Sequence, residues 1–236
     1  MRRVVTVIGL AVLLTAMTPQ TSAAQQSVTL YLGGFVPRGL DSRAEGDALL
    51  NNLFRGDYSL IFDFDSFKSV TFGGDWLVAV TPHLEAGVGL GYYRDTVPSQ
   101  YAFQFYEDGF PVFQKLRLRI TTLTPSLRLL PFGRESAVQP YVGAGLGIFF
   151  WRYSEVGEFV GTDELGDFIF QDRFTDTGTS IGPVAIGGLR FPLGAWDFGG
   201  EMRYQWAEGD LPADQFLDPV IDLSGASFLV TFNIRF

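Results

Sequence analysis

Apolar and polar residues alternate at the end of the chain. From Ser227 to Phe236, the residues Phe228, Val230, Phe232, Ile234 and Phe236 share one parity, and Thr231, Asn233 and Arg235 take the other. A period of two over this length predicts a β-strand with one apolar and one polar face. The same pattern recurs upstream over Val28–Val36, Val70–Val80, Leu84–Tyr93, Gln139–Arg152 and Trp196–Trp206, and Thr179–Phe191 is a further strand whose faces are the least clear. In Leu84–Tyr93, for example, Leu84, Ala86, Val88, Leu90 and Tyr92 oppose Glu85, Gly87, Gly89 and Gly91. One further segment, Gln114–Leu130, changes parity midway. There Leu116, Leu118 and Ile120 oppose Arg117 and Arg119, and the apolar side then passes to Leu123, Leu127 and Leu129. A one-residue β-bulge near Thr121-Thr122 would produce that switch.

Eight strands are therefore expected, joined by three short turns and four long connections. The turns lie at Thr81-Pro82-His83, from Pro131 to Arg134, and from Pro192 to Ala195. The long connections span roughly residues 38–68, 94–113, 154–173 and 208–222. In the first, Ser42 followed by Glu45 is a capping-box pattern ahead of Ala48, Leu49, Leu50 and Leu53, so a short helix is expected there. Tyr58–Phe64 alternates like a strand, either extending the sheet or packing over its mouth. The fold class is all-β: an eight-stranded, antiparallel, up-and-down barrel.

Volume decides which face is inside. The interior of an eight-stranded barrel is only wide enough to be filled by side chains. One face of these strands is crowded with Phe, Trp, Leu and Val. The other is rich in Gly, with scattered charge, and only this second set fits inside. The bulky set then points outward, where water would make it an aggregation surface and hydrocarbon would accept it. The inward charges form a candidate lumen network: Asp75, Glu85, Asp197 and Glu201 as acids, with Arg117, Arg119, Arg128, Arg190, Arg203 and Arg235 as candidate bases. Charges confined in a narrow lumen need partners.

Composition agrees with a membrane barrel. Charged residues make up only 18% of the 236 residues, against roughly a quarter in soluble proteins. No apolar run in the body of the chain is long enough for a spanning helix. The absence of cysteine rules out disulfides and thiolate metal sites. A net charge of −9 argues against nucleic acid as a partner. At the start, basic Arg2-Arg3, an apolar stretch from Val4 to Met17 and the small residues Thr21-Ser22-Ala23-Ala24 predict a cleaved leader over residues 1–24. Residues 25–236 are then expected to form a single barrel domain.

Candidate chemistry is sparse. The lone histidine, His83, lies in a short turn with no obvious catalytic partner. Gly87-Val88-Gly89-Leu90-Gly91 and Gly143-Ala144-Gly145-Leu146-Gly147 have the period of strands, with no helix following to receive a phosphate. They read as close packing on the lumen face. The acidic connections, with Asp163, Glu164, Asp214 and Asp218, lack a calcium-loop pattern and read as solvated surface. No metal site, cofactor or enzymatic activity is expected.

The terminal strand, with its alternating apolar residues and final Phe236, resembles that of bacterial outer-membrane β-barrels. By that resemblance Phe228, Val230, Phe232, Ile234 and Phe236 would be the signal read by the barrel-assembly machinery. The chain as a whole is similar to the small OmpA/OmpW-like barrels. The resemblance implies an outer-membrane location with both termini periplasmic, short turns on the periplasmic side and long loops outside. It also implies lipid and lipopolysaccharide as neighbours and an ion-paired lumen. A structural or surface-interaction role is expected. The alternatives are a narrow channel, a lateral path for small hydrophobic molecules, or a soluble barrel holding a ligand as lipocalins do. The lipid A acyltransferase and deacylase among small barrels need a His with a Ser near the outer leaflet, and the position of His83 does not match.

Overall fold

The computed structural model describes residues 26–164 and 166–236, so the expected leader lies outside the described residues. Period-two patterning yields eight long strands: β1 (Gln26–Pro37), β2 (Ser69–Thr81), β3 (Leu84–Phe105), β4 (Pro111–Leu129), β5 (Gln139–Asp163), β6 (Gly166–Leu193), β7 (Trp196–Gln205) and β8 (Gly225–Arg235). Each pairs antiparallel with its successor. β1 pairs with β8, setting Leu30 opposite Phe232 and Val28 opposite Ile234. That last ladder closes the ring and leaves the main sheet without open edges at this level, which is how an up-and-down barrel hides its backbone groups.

Short turns gather at one end, here the turn end, and β3–β4 and β5–β6 rise above the barrel as hairpins at the other. Two stretches expected as long connections, residues 94–113 and 154–173, are largely these hairpins. Aromatic and β-branched residues favour the pleated conformation, so the strands continue where the membrane-type alternation ends. Gly109 makes the tight β3–β4 turn with a φ of 83°, a left-handed conformation that glycine adopts without steric cost.

The expected bulge at Thr121-Thr122 is absent. β4 keeps a single register there, with Thr121 opposite Tyr92 and Phe150, and Thr122 opposite Gly91 and Phe149. Side chains alternate without interruption, and what changes is the surroundings. Leu116, Leu118 and Ile120 point inward to an apolar core near the hairpin end, whereas Leu127 and Leu129 point outward nearer the turns, each about half exposed.

The outward face forms an apolar belt. Leu30, Phe72, Leu90, Ile181, Phe198 and Val230 are all exposed on it, and the lumen behind is polar. Near the hairpin end the interior turns apolar, with Phe35, Tyr93, Leu116, Ile120, Phe149 and Trp151 in one buried cluster.

Two connections fold down onto this cluster. The first carries α1 (Ala48–Leu53), whose N-cap is Asp47 and not Ser42; the Asp47 carboxylate accepts from the Leu50 amide at 2.9 Å. Ser42 instead donates to Gly39. Of the strand expected over Tyr58–Phe64, only Leu60–Ile61 pairs, with Tyr101 and Gln100. The segment packs over the mouth: Leu49, Leu60 and Phe67 are buried against the barrel cluster. The fourth connection contributes Phe216, Ile221 and Leu223 to the same cluster. Each such burial contributes about 1.5–3 kcal/mol relative to exposure.

Candidate functional site

Below the apolar core the lumen is crossed by arginine–carboxylate pairs. The alternation of β2, β4 and β7 turns Asp75, Arg128, Glu201 and Arg203 inward at one level. Arg128 lies 2.7 Å from Asp75 and 3.1 Å from Glu201. Arg203 lies 2.6 Å from Asp75 and also pairs with Glu201. The Tyr141 hydroxyl donates to Glu201 at 2.7 Å. Nearer the turn end, Glu85 on β3 pairs with Arg190 on β6, across the barrel. Arg134, from the β4–β5 turn, reaches the same carboxylate at 3.3 Å. Arg235 holds Asp197 at 2.8 Å and Gln139 at 2.8 Å. Aromatic rings flank the guanidinium groups, with Arg203 4.3 Å from the Tyr31 ring centre and Arg190 4.6 Å from that of Tyr141.

Burial makes these pairs consequential. Asp75, Glu85, Arg128, Arg190, Asp197 and Glu201 are each at most 4% exposed. An unpaired charge there would carry a large desolvation penalty, and the mutual hydrogen bonds offset it. Small residues make the space: a Cβ on Gly89 would collide with the Asp75 carboxylate, and one on Gly188 would stand 2.5 Å from the Tyr141 ring. Just above the plug a cavity of about 40 Å3 remains beside Tyr31, Tyr93, Thr122 and Arg203, room for only a very few waters.

Of the residues assigned to the lumen from the sequence, Asp75, Glu85, Asp197, Glu201, Arg203 and Arg235 come together in this network. Arg117 and Arg119 do not. They take the outward parity of β4, opposite Ser154 and Arg152 of β5, above the apolar belt. Their assignment inside is corrected. It assumed that Leu116, Leu118 and Ile120 face lipid, whereas these line the apolar upper interior. Arg134, Tyr31, Tyr141 and Gln139 join the network without having been assigned to it. Tyr31, Gln139 and Tyr141 share the lumen parity of their strands, a usable signal; Arg134 arrives from a turn, where parity says nothing.

The covered mouth holds a second cavity, of about 410 Å3, open toward the hairpin end. Its walls include Tyr101, Phe159, Phe174 and Phe216, with Asn52 and Glu155 as polar groups. Glu155 accepts from Asn52 at 2.9 Å and from Tyr153 at 2.8 Å. Burial, with the Glu155 carboxylate adding to it, pushes the Tyr153 phenol well above its ordinary value, so it stays a proton donor at neutral pH. Burial likewise raises Tyr101.

Asp218, expected as solvated surface, instead helps tie the cover together, with Asp222 and Asp47. Asp218 pairs with Arg55 and accepts from Asn51 at 2.7 Å. Asp222 accepts from the Ala44 amide at 3.0 Å and stands 3.5 Å from Arg38. Asp47, fully buried, receives two bonds from Arg43 at 2.5 and 2.9 Å and one from the Asp222 amide at 2.7 Å. Asp47→Ala therefore removes a helix cap and a buried ion pair together. It is expected to loosen residues 38–58 by roughly 1–2 kcal/mol or more, read as lost hydrogen-exchange protection at Leu50 and faster proteolysis of the cover. Heat-modifiable gel mobility of the barrel should persist.

Phe228, Val230 and Ile234 of β8, and Phe236 just after it, are exposed on the belt. Phe232 packs against Trp196 and Phe198 at ring distances of 5.0 Å. His83 sits in the β2–β3 turn, at the opposite end from the mouth cavity. Among the described residues, no cluster of three or more His, Asp or Glu side chains is arranged to hold a metal ion.

No family model matches the sequence, and no curated protein sequence matches it. Solved structures do. The outer membrane protein OprG from Pseudomonas aeruginosa aligns with a TM-score of 0.50 at 12% identity, covering 91% of this chain and 97% of that one. Neisserial surface protein A, NspA, aligns at 0.45 and 14% identity over 91% of this chain and all but 1% of its own (99% covered). Outer Membrane Protein W of E. coli aligns at 0.37 and 14% identity, covering 92% and 100%. The chain has the fold of the small eight-stranded outer-membrane β-barrels.

Proposed function

We propose that this protein is a non-enzymatic outer-membrane barrel. Its plugged lumen serves as a rigid pedestal, and its covered mouth and aromatic hairpins form a binding surface outside the cell. The lumen-crossing network carries the reading. Glu85–Arg190 and Asp75–Arg128–Glu201 join opposite walls, so an ion would have to break buried pairs to pass. The exposed Phe103, Phe105, Phe110 and Phe113 on the β3–β4 hairpin support the second half. Exposed aromatic clusters on a scaffold of this kind are the usual chemistry of contact with a partner.

In this reading the belt faces outer-membrane lipid, with the turn end and both termini periplasmic and the hairpins outside. Residues 1–24 are removed as a leader, and 25–236 form the mature barrel. Phe228, Val230, Phe232, Ile234 and Phe236 are what the barrel-assembly machinery reads. Lipopolysaccharide is the neighbouring lipid, and no cofactor is needed.

One observation favours a second reading. The aromatic mouth cavity is large enough for a small hydrophobic molecule, which would suit an entry point for uptake. Planar-bilayer recording separates the two. The pedestal reading expects no unitary current from the wild type. Reproducible current that disappears when the lumen is filled further, for example by Thr122→Phe in the small cavity above the plug, would defeat it in favour of transport. Gel mobility in mild detergent, with and without boiling, checks the barrel itself: the folded form should shift on heating.

A further inference from the structure

We propose that the outward face of β3–β6, just above the apolar belt, docks the phosphate groups of a phosphorylated outer-leaflet lipid through a row of arginines. This rests on the membrane reading above and names a lipid partner and a site for it.

The row follows from strand register. Arg94 of β3 stands opposite Arg119 of β4, and Arg119 stands opposite Arg152 of β5. One level further from the belt, Arg117 lies between Thr96 and Ser154. A level beyond that, Lys115 and Arg173 each stand opposite Val156. Like charges placed directly across antiparallel strands repel. Three arginines in file are therefore self-destabilising unless an anion lies across them.

Two further observations point to a ligand. First, nine of the fifteen Lys and Arg among the described residues have a carboxylate within ion-pair distance. The six that do not are Arg94, Lys115, Arg117, Arg119, Arg152 and Arg173, all on this one face. In a chain of net charge −9, acids are plentiful elsewhere. Second, the face is concave. Five of these arginines line an open groove of about 380 Å3, with the Ser154 and Thr175 hydroxyls between them and Asp95 as an acid at its margin.

Position selects the occupant. Directly toward the turn end come Tyr92, Thr121, Phe150 and Thr179, and then the wholly apolar row Leu90, Leu123, Ile148 and Ile181. Two residues along a strand span roughly 7 Å. The arginines thus stand where the hydrocarbon ends and headgroup phosphates begin. A soluble polyanion would be met better at the hairpin tips, farther from the belt. The fork of a guanidinium suits the bidentate grip that a phosphate accepts.

The test uses the full barrel and a triple variant, Arg94→Gln/Arg119→Gln/Arg152→Gln. Both are reconstituted into phosphatidylcholine vesicles doped with bisphosphorylated lipid A or with its dephosphorylated form. Lipid retained on the re-extracted protein is counted by mass spectrometry. Wild type should prefer the phosphorylated lipid by about tenfold, which is about 1.4 kcal/mol. The triple variant should lose that preference, and Arg119→Lys alone should keep most of it. If the triple variant does not fold, Arg119→Gln alone should still weaken the preference. Equal retention of both lipids by an inserted, heat-modifiable wild type overturns the proposal and leaves the membrane reading standing. Displacement of the lipid by inorganic pyrophosphate at comparable concentration also overturns it, in favour of a soluble-anion site. Failure of wild type to insert into any vesicle overturns both.

Discussion

Replacing Arg128 by Met is expected to cost the barrel about 3–5 kcal/mol, the usual penalty for removing one partner from a buried ion pair. Arg128 is 1% exposed and sits between Asp75 and Glu201. Without it, two buried carboxylates share a single remaining guanidinium, Arg203. The thioether fills much of the volume but returns no charge. The effect should appear as a lower urea midpoint for tryptophan fluorescence in detergent and as loss of the heat-modifiable form on a gel. Glu201→Gln added to Arg128→Met should recover more than half the loss, because it removes the charge left without a partner. An unchanged midpoint for the single variant would mean that the network contributes nothing to the rigidity of the pedestal.

Val230→Arg should cost roughly 2–4 kcal/mol in a bilayer, the range for a basic side chain at the lipid face of a membrane barrel near mid-depth. Val230 is 71% exposed on the belt, between Leu32 of β1 and Gly200 of β7. An exposed valine on a water-soluble barrel would tolerate arginine within ~0.5 kcal/mol. The size of the effect therefore reports the solvent that the belt faces. Urea refolding into phosphatidylcholine vesicles measures it directly. A negligible change, with the protein soluble in the absence of detergent, would favour the soluble ligand-binding alternative and remove the ground for the arginine site.

Much of the architecture was legible from alternation. All eight strands lie where period-two segments fall, and Asp75, Glu85, Glu201 and Arg203 share the glycine-rich parity that volume sends inward. Parity says which side chains share a face but not the height of each, and height decides whether the apolar set points in or out. Leu116 and Leu127 are both apolar residues of β4, yet one fills the upper interior and the other stands on the belt. Two environments stacked along one strand looked, in one dimension, like a bulge. The same blindness to height put Arg117 and Arg119 in the lumen.

The partners within the lumen were not legible at all. Arg128 finds Asp75 across 53 residues of chain, and Arg190 finds Glu85 across 105. The cover over the mouth depends on contacts just as distant: Asp47 meets Asp222 across 175 residues.

Local alternation and composition by themselves determined the strand count, which residues of a strand share a face, and the bulky-out, small-in arrangement at the level of the belt. These depend only on backbone geometry and side-chain volume, which neighbours in sequence already express. Closure of the ring decided the rest: which charges meet, which acids tie down the cover, and which arginines are left outside without a carboxylate. Coulombic pairing depends on distances in space, and those exist only once β1 has met β8.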